Sequence, residues 1–310
     1  MGTSKKEFWA YAGMSLMTAI IGLSFIFMKV ALRFTGPVDL LAHRFNAAFV
    51  AVLLLQAAGV LKFPRFNFKK SRSLLLLTLF YPVLFFLLQT FGVQFSTASE
   101  AGIVFAITPV LTMLSAAIFL KEKTGFLQKT GILLSVAGVL YIIFKTGNHA
   151  GTTDLKGILL LLLSVLAIVA YYTAGKKLGP TFSPTELTVL MTYLAFIVFN
   201  AWAITIHYQH NTLNHFFEPL KQAGFLIPVL YLGVLSSLLT SFLSNYALTA
   251  IPASKIAVFN NLSPVITIAG GILFLDERLY GYHLTGGVLV LAGIAATLFF
   301  KNRPGIPGKQ

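Results

Sequence analysis

The sequence predicts an all-α membrane protein of ten transmembrane helices in two inverted five-helix repeats. Composition, the regular spacing of apolar runs and a self-match along the chain all lead there. Of the 310 residues, 57% are hydrophobic and only 10% charged, against roughly 25% charged in an ordinary soluble domain. Mean hydropathy is +0.84. A water-soluble fold is excluded, and lipid becomes the solvent to reason about. The net charge of +14 is carried by short clusters between apolar segments. No continuous basic face offers itself to a nucleic acid, so membrane lipid is the expected partner. Without cysteine, disulfides and thiolate chemistry are excluded, and no motif calls for a cofactor.

Apolar runs of about 20 residues, the length a bilayer core demands, are separated by Gly, Pro, Asn or charge punctuation. They fall near Phe8 to Leu32, Val38 to Val60, Leu74 to Phe95, Ser99 to Leu120, Phe126 to Phe144, Leu155 to Gly175, Pro184 to Ile206, Phe225 to Thr249, Ala253 to Leu275 and Tyr280 to Phe300. Lys5 and Lys6 ahead of the first run resemble a signal peptide, but the run continues to about Val30 with no small-residue cleavage site, so it reads as a retained helix.

Basic residues are retained in the cytoplasm. With the N-terminus inside, the inner segments hold Lys5 and Lys6, the cluster Lys62, Arg65, Lys69, Lys70 and Arg72, then Lys121, Lys123, Lys129, Lys176, Lys177, Lys301, Arg303 and Lys309. The outer segments hold Arg33, Lys145, Lys156, Lys221 and Arg278. This asymmetry places both termini in the cytoplasm and requires an even number of spans in the cell membrane.

The chain matches itself without gaps at an offset of 155 residues. Ala98-Ser99 meet Ala253-Ser254, Pro109-Val110 meet Pro264-Val265, Thr112 meets Thr267, and Phe119-Leu120-x-Glu122 meet Phe274-Leu275-x-Glu277. In the following helix Thr130-Gly131 match Thr285-Gly286, and Ala137-Gly138 match Ala292-Gly293. A shared Pro, a shared Glu and two shared Gly are not the coincidences of generic Leu-rich sequence. Because each half has an odd number of helices, the second enters the membrane in the opposite direction, giving an inverted repeat. The halves are expected over residues 1–147 and 153–303, with 304–310 a cytoplasmic tail.

On these residues, together with Pro37 and the run Ala42-His43-Arg44-Phe45, the chain resembles the drug/metabolite transporter superfamily, specifically its EamA-like ten-helix type. The resemblance covers nearly the whole chain. It implies transport of a small solute and leaves the substrate open among amino acids, other metabolites, nucleotide-linked sugars and drugs.

Polar groups within spans are costly and usually face a cavity or a partner. Arg44, nearly two turns into the second span, is the first substrate-site candidate, since a guanidinium there can hold a carboxylate or phosphate by two bonds. Asn260 and Asn261 beside Pro264, Gln89, Asn245 and Tyr171 are the others, with interhelical hydrogen bonding as the plainer alternative. His43 is a coupling candidate, but adjacent helical residues point about 100° apart, so it and Arg44 do not share one cavity. Glu100 can carry a proton or pair with Arg44, although Thr97-x-x-Glu100 also reads as a capping box. Its repeat mate Lys255 is a further gating candidate, equally able to snorkel, and Lys29, near the outer end of the first span, can gate or bind an anion, though its long stem also permits snorkelling. Glu122 and Glu277 read as surface ion pairs or helix-end contacts. His207, His210 and His215 match no zinc spacing and read as a solvated loop. Gly131, Gly138, Gly286, Gly287 and Gly293 permit close helix approach, either within the chain or in a homodimer.

The functional expectation is a secondary transporter moving a small metabolite by alternating access, driven by a solute or proton gradient, since no P-loop marks ATP-driven work. Arg44 favours an amino acid or related carboxylated solute. An intramembrane enzyme requires a catalytic constellation that the spans do not offer. A channel requires a continuous polar path, where this chain has scattered single groups.

Overall fold

The computed structural model describes residues 5–63, 71–119, 121, 125–147, 154–178, 184–240, 243 and 263–299. The first half supplies α1 (Lys5–Ala31), α2 (Pro37–Ala57), α3 (Ser71–Thr78, a π-type turn Leu79–Leu84, then Phe85–Gln94), α4 (Ala98–Ala106, then Thr108–Phe119) and α5 (Phe126–Gly147). The second supplies α6 (Leu155–Leu178), α7 (Pro184–Gln209), a connection of Leu213–Phe216 and Glu218–Lys221, α8 (Ala223–Leu230, continued by a π-type stretch Tyr231–Leu239), α9 (Ser263–Leu275 in its described part) and α10 (Gly281–Phe299). Each expected span has a helical segment. By length and hydropathy alone α1, α2, α3, α4, α6 and α7 each suffice to cross a bilayer, and α8 meets its preceding connection at a bend of 89°.

Lipid offers backbone groups no hydrogen bonds, so every interruption needs a local remedy. Pro109 lacks the N–H that would bond the Phe105 carbonyl, and α4 steps at Ile107. The Thr108 hydroxyl takes that carbonyl instead, at 2.7 Å. In α3 the residue before Pro82 is pushed out of helical geometry, as expected before proline, and Tyr81 is extended at φ −144°, ψ 122°. The third helix of each half is thus distorted at matching positions, α3 by this kink within Leu79–Leu84 and α8 by a π-type stretch at Tyr231–Leu239.

The packing has the symmetry of the repeat. α1 lies on α8 and α9, and its counterpart α6 lies on α3 and α4, while α2 packs on α7, α4 on α9 and α5 on α10. Exchanging every helix with its counterpart leaves that pattern unchanged. Counterparts also run antiparallel: Asp39 bonds His207 at one end of the α2–α7 crossing, while Asn200 bonds Asn46 and Tyr193 bonds Gln56 progressively further along. Near the axis, Ser135 of α5 donates to the carbonyl of its own mate, Val290 of α10, at 3.1 Å. These are the relations of two halves inserted in opposite directions.

The α5–α10 crossing stands to one side of the bundle, and glycine sets its spacing. A Cβ on Gly138 would lie 2.7 Å from the Gly286 carbonyl oxygen, and one on Gly293 would lie 2.5 Å from that of Gly131. Gly287, by contrast, has nothing within 4 Å. Gly138→Leu is therefore expected to destabilise the detergent-solubilised protein by about 1–3 kcal/mol or more through overpacking. Gly287→Ala should shift the unfolding midpoint negligibly, and equal effects of the two would show that this crossing is not glycine-limited.

Candidate functional site

We call the end of the bundle where α1 begins the near side and the end where it finishes the far side. A cavity of about 530 Å³ occupies the middle and near half. α1 contributes Met17 and Ser24, α2 Arg44 and Phe45, and α3 Tyr81, Phe85, Phe86 and Gln89. α4 adds Phe105 and Thr108, α6 Tyr171 and Tyr172, α7 Thr188 and Thr192, and α8 Ser236, Ser237 and Thr240. α5 and α10 contribute none of its lining. Both π-distorted helices border it, and broken helices at matching positions in two halves are where transporters build binding sites.

Arg44 is the one permanent cation of this wall among the described residues. Its side chain is 2% exposed. Nε donates to the Ser237 hydroxyl at 3.2 Å and one terminal nitrogen to Ser236 at 3.4 Å. The guanidinium carbon sits 4.1 Å from the centroid of the Phe86 ring, a cation–π contact. Among the described residues Nη1 has no hydrogen-bond partner, and neither has Oε1 of the buried Gln89 amide. An unmet buried polar group costs about 1–3 kcal/mol and more if charged, so the wall presents groups that a polar solute would satisfy. Aromatic rings surround them: Tyr81 stands 5.1 Å from Tyr171 and 5.4 Å from Phe86 between centroids.

Of the sequence candidates, Arg44, Gln89 and Tyr171 thus line one cavity. Asn245, Lys255, Asn260 and Asn261 lie outside the described residues. His43, Lys29 and Glu100 sit elsewhere, on the far side, and each is already occupied. His43 Nε2 meets the Phe216 carbonyl at 2.8 Å while its ring stacks on Phe216. Lys29 is held by backbone: its ammonium donates to the carbonyls of Val93 at 2.9 Å, Gln94 at 3.3 Å and Ser96, where α3 ends, within the field of the Glu277 and Glu100 carboxylates. A cation on the C-terminal carbonyls complements the helix dipole. Glu100 does not reach Arg44. It forms the capping box with Thr97 and accepts from His283 at 3.0 Å.

On the far side one expectation narrows and another changes. Of its two readings Glu277 takes the helix-end contact: it accepts from the Ala98 and Ser99 N–H groups at 2.6 and 2.9 Å and from the Ser99 hydroxyl, capping α4 across the α9–α4 crossing. His207 is not solvated but bonds both Asp39 oxygens at 3.1 Å and Thr212 at 2.8 Å. His210 is exposed and His215 pairs with Glu218. No group of metal-ligating side chains forms among the described residues. The residues that composition alone did not single out are Ser236, Ser237, Tyr81, Phe86 and His283. A Ser-Ser pair and a Tyr-Pro step inside apolar runs were the available signals.

The EamA-like transporter family model matches residues 8–144 and again 155–299. The chain belongs to the EamA-like transporter family. That family has the ten-helix, two-repeat architecture seen here. The "uncharacterized transporter" YcxC of Bacillus subtilis is 43% identical over 305 residues, covering 97% of both chains. YetK of the same organism, also named an uncharacterized transporter, is 28% identical over 97% of this chain and 90% of its own. Protein PagO of Salmonella typhimurium is 24% identical, covering 93% and 92%. A solved crystal structure aligns over 97% of this chain and 100% of its own, with a TM-score of 0.59 at 17% identity, a likeness of fold. The chain is a multi-pass membrane protein, and these relatives point to a transporter of small molecules rather than an enzyme.

Lys29 therefore has a structural assignment that can be measured. Lys29→Met keeps the stem and removes the donor, and is expected to destabilise the protein by about 1.5–3 kcal/mol, the worth of hydrogen bonds from a charged group. The change reads out as a lower unfolding midpoint in detergent. An unchanged midpoint would return Lys29 to the list of anion-binding residues.

Proposed function

We propose that this EamA-family protein is a secondary transporter of the cell membrane, with both termini cytoplasmic, that carries a small carboxylated metabolite such as an amino acid by alternating access. The observation that carries the reading is the lone Arg44 guanidinium. It is buried in a cavity wall, held by two serine hydroxyls and a phenyl ring, bonded by no carboxylate among the described residues, and left with Nη1 unmet. Charge-assisted bonds to an ionised group are worth about 1.5–3 kcal/mol each, and a carboxylate meets a guanidinium with two.

Other features support it. The cavity volume of about 530 Å³ falls within the range for small-molecule sites. The Gln89 amide offers a second polar contact, while Phe85, Phe86, Tyr81 and Tyr171 offer room for an apolar moiety. The positive-inside asymmetry supports assigning the near side to the cytoplasm, and on that assignment the described state has its cavity toward the cytoplasm and its far side held shut. An inverted repeat supplies the opposite state by exchanging the conformations of its two halves.

The test is counterflow in proteoliposomes against a panel of labelled amino acids, organic anions and organic cations. Saturable movement of a carboxylated solute is expected, and Arg44→Ala should lower it at least about tenfold, the equivalent of 1.4 kcal/mol. Arg44→Lys should recover only part, because an ammonium cannot reproduce the bidentate fork. Undiminished transport of the same solute by Arg44→Ala would remove the basis of the reading.

A further inference from the structure

On the far side, two helices that begin side by side share one buried pair of titratable groups. Glu100 is the third residue of α4 and His283 the third of α10, 0% and 3% exposed. Each caps its own helix. Glu100 Oε2 accepts the Thr97 N–H at 2.9 Å, and His283 Nδ1 accepts the Tyr280 N–H at 3.2 Å. Because Nδ1 accepts, it carries no proton, so the imidazole is neutral with its hydrogen on Nε2, donated to Glu100 Oε1 at 3.0 Å. That assigns the protonation state from geometry: an ionised carboxylate bonded to a neutral imidazole.

A further proton has two destinations, and both disturb a cap. On His283 it goes to Nδ1 and displaces the Tyr280 N–H. On Glu100 it turns an acceptor oxygen into a hydroxyl that competes with the Thr97 or His283 donor. With the far side open and water admitted, the same proton would displace nothing, so the open state binds protons more readily than the closed one.

The neighbours keep the site coupled to closure. α1 brings Lys29, fixed on the carbonyls at the end of α3, next to the start of α4. The end of α9 brings Glu277 onto the Ala98 and Ser99 amides, with Arg278 exposed at the rim. α6 begins beside it with Asp154, whose N–H bonds the Phe95 carbonyl, and Lys156 over the Phe95 ring. At the start of α10, Tyr280 meets the His283 ring edge-on and Tyr282 lies tilted against it. The Asp39–His207 pair ties α2 to α7 and is a separate contact.

We infer that Glu100 and His283 form a proton-binding site that latches the far side of the cavity, and that a proton taken up there from the far-side solution releases the latch. The proton is the ligand, and the site is distinct from the Arg44 wall. The inference rests on the alternating-access reading given above.

The chain has no cysteine, so one introduced thiol reports without background. Ser24→Cys puts it on the cavity wall, and Asn211→Cys in the far-side turn corrects for the pH dependence of thiol reactivity itself. Labelling uses a charged, membrane-impermeant methanethiosulfonate applied to intact cells and, separately, to inverted vesicles. From about pH 8 to about pH 5.5, a span that brackets histidine titration, the corrected rate at Ser24→Cys from outside is expected to rise severalfold. Adding Glu100→Gln, or independently His283→Gln, should flatten that rise, and the second variant stands in if the first fails to fold. A corrected rate that does not vary with pH, or that varies as before in a folded Glu100→Gln or His283→Gln background, overturns the proton site and in the latter case transfers attention to Asp39–His207. No labelling from outside at any pH, with labelling from inside, overturns alternating access itself.

Discussion

A guanidinium in the middle of an apolar bundle must be solvated by something, and the central part of this structure is arranged around that requirement. Placing Arg at the centre of a span costs about 2.5–3.5 kcal/mol on insertion scales. Ser236 and Ser237 recover part of this through hydrogen bonds and Phe86 part through its ring face. They reach Arg44 because α8 is widened where the serines lie and α3 is broken just before Phe86. The recovery is incomplete, since Nη1 and the Gln89 carbonyl oxygen are left unmet. A fold that only needed stability would have put a leucine there. On the function proposed above, this residual demand for an anionic, hydrogen-bonding partner turns a hole between helices into a site with a preference.

Around that site the two halves divide their labour unequally. Counterpart helices cross antiparallel in pairs, and the α5–α10 pair, locked by glycine contacts and Ser135, stands outside the cavity as a prop. The far side is tied by polar contacts at helix ends: Lys29 on the end of α3, Glu277 on the start of α4, Glu100 on His283 and Asp39 on His207. Such caps are individually modest and each involves groups that water could satisfy. On the alternating-access reading proposed above, they are exchanged for hydration as the bundle opens, whereas the apolar crossings beneath them keep their contacts. On that reading, closure by caps rather than by a greasy plug makes the far side sensitive to charge.

Much of the fold was legible in the residues because lipid imposes so few solutions. Span lengths, proline punctuation and the offset-155 match each follow from backbone satisfaction or from duplication, and the helical segments fall where the apolar runs do. Arg44 was legible for the same reason: a charge at that depth is conspicuous. Its partners were not. Ser236 and Ser237 look like ordinary small polar residues in an apolar run, and only the π-type widening of α8 gives them their direction. Glu100 shows the opposite limit. The Thr97-x-x-Glu100 spacing displayed the local cap, but its second oxygen meets His283, distant in sequence, and no periodicity announces such a contact. Lys29 read as a free cation because the carbonyls it serves belong to another helix. For Asn245, Lys255, Asn260 and Asn261 the argument remains one of sequence, since they lie outside the described residues.

The central claim is that the cavity recognises a carboxylate through Arg44, and ligand-induced stabilisation of the purified protein tests it most directly. A ligand at about 100 times its dissociation constant adds about 2.7 kcal/mol to the stability of the state that binds it. We expect a carboxylated solute found by screening to raise the unfolding midpoint in detergent, and its primary amide or methyl ester, alike in shape but uncharged at that end, to raise it far less. Equal stabilisation by acid, amide and ester would contradict the account, because it would show that the solute is held without the charge Arg44 is placed to meet.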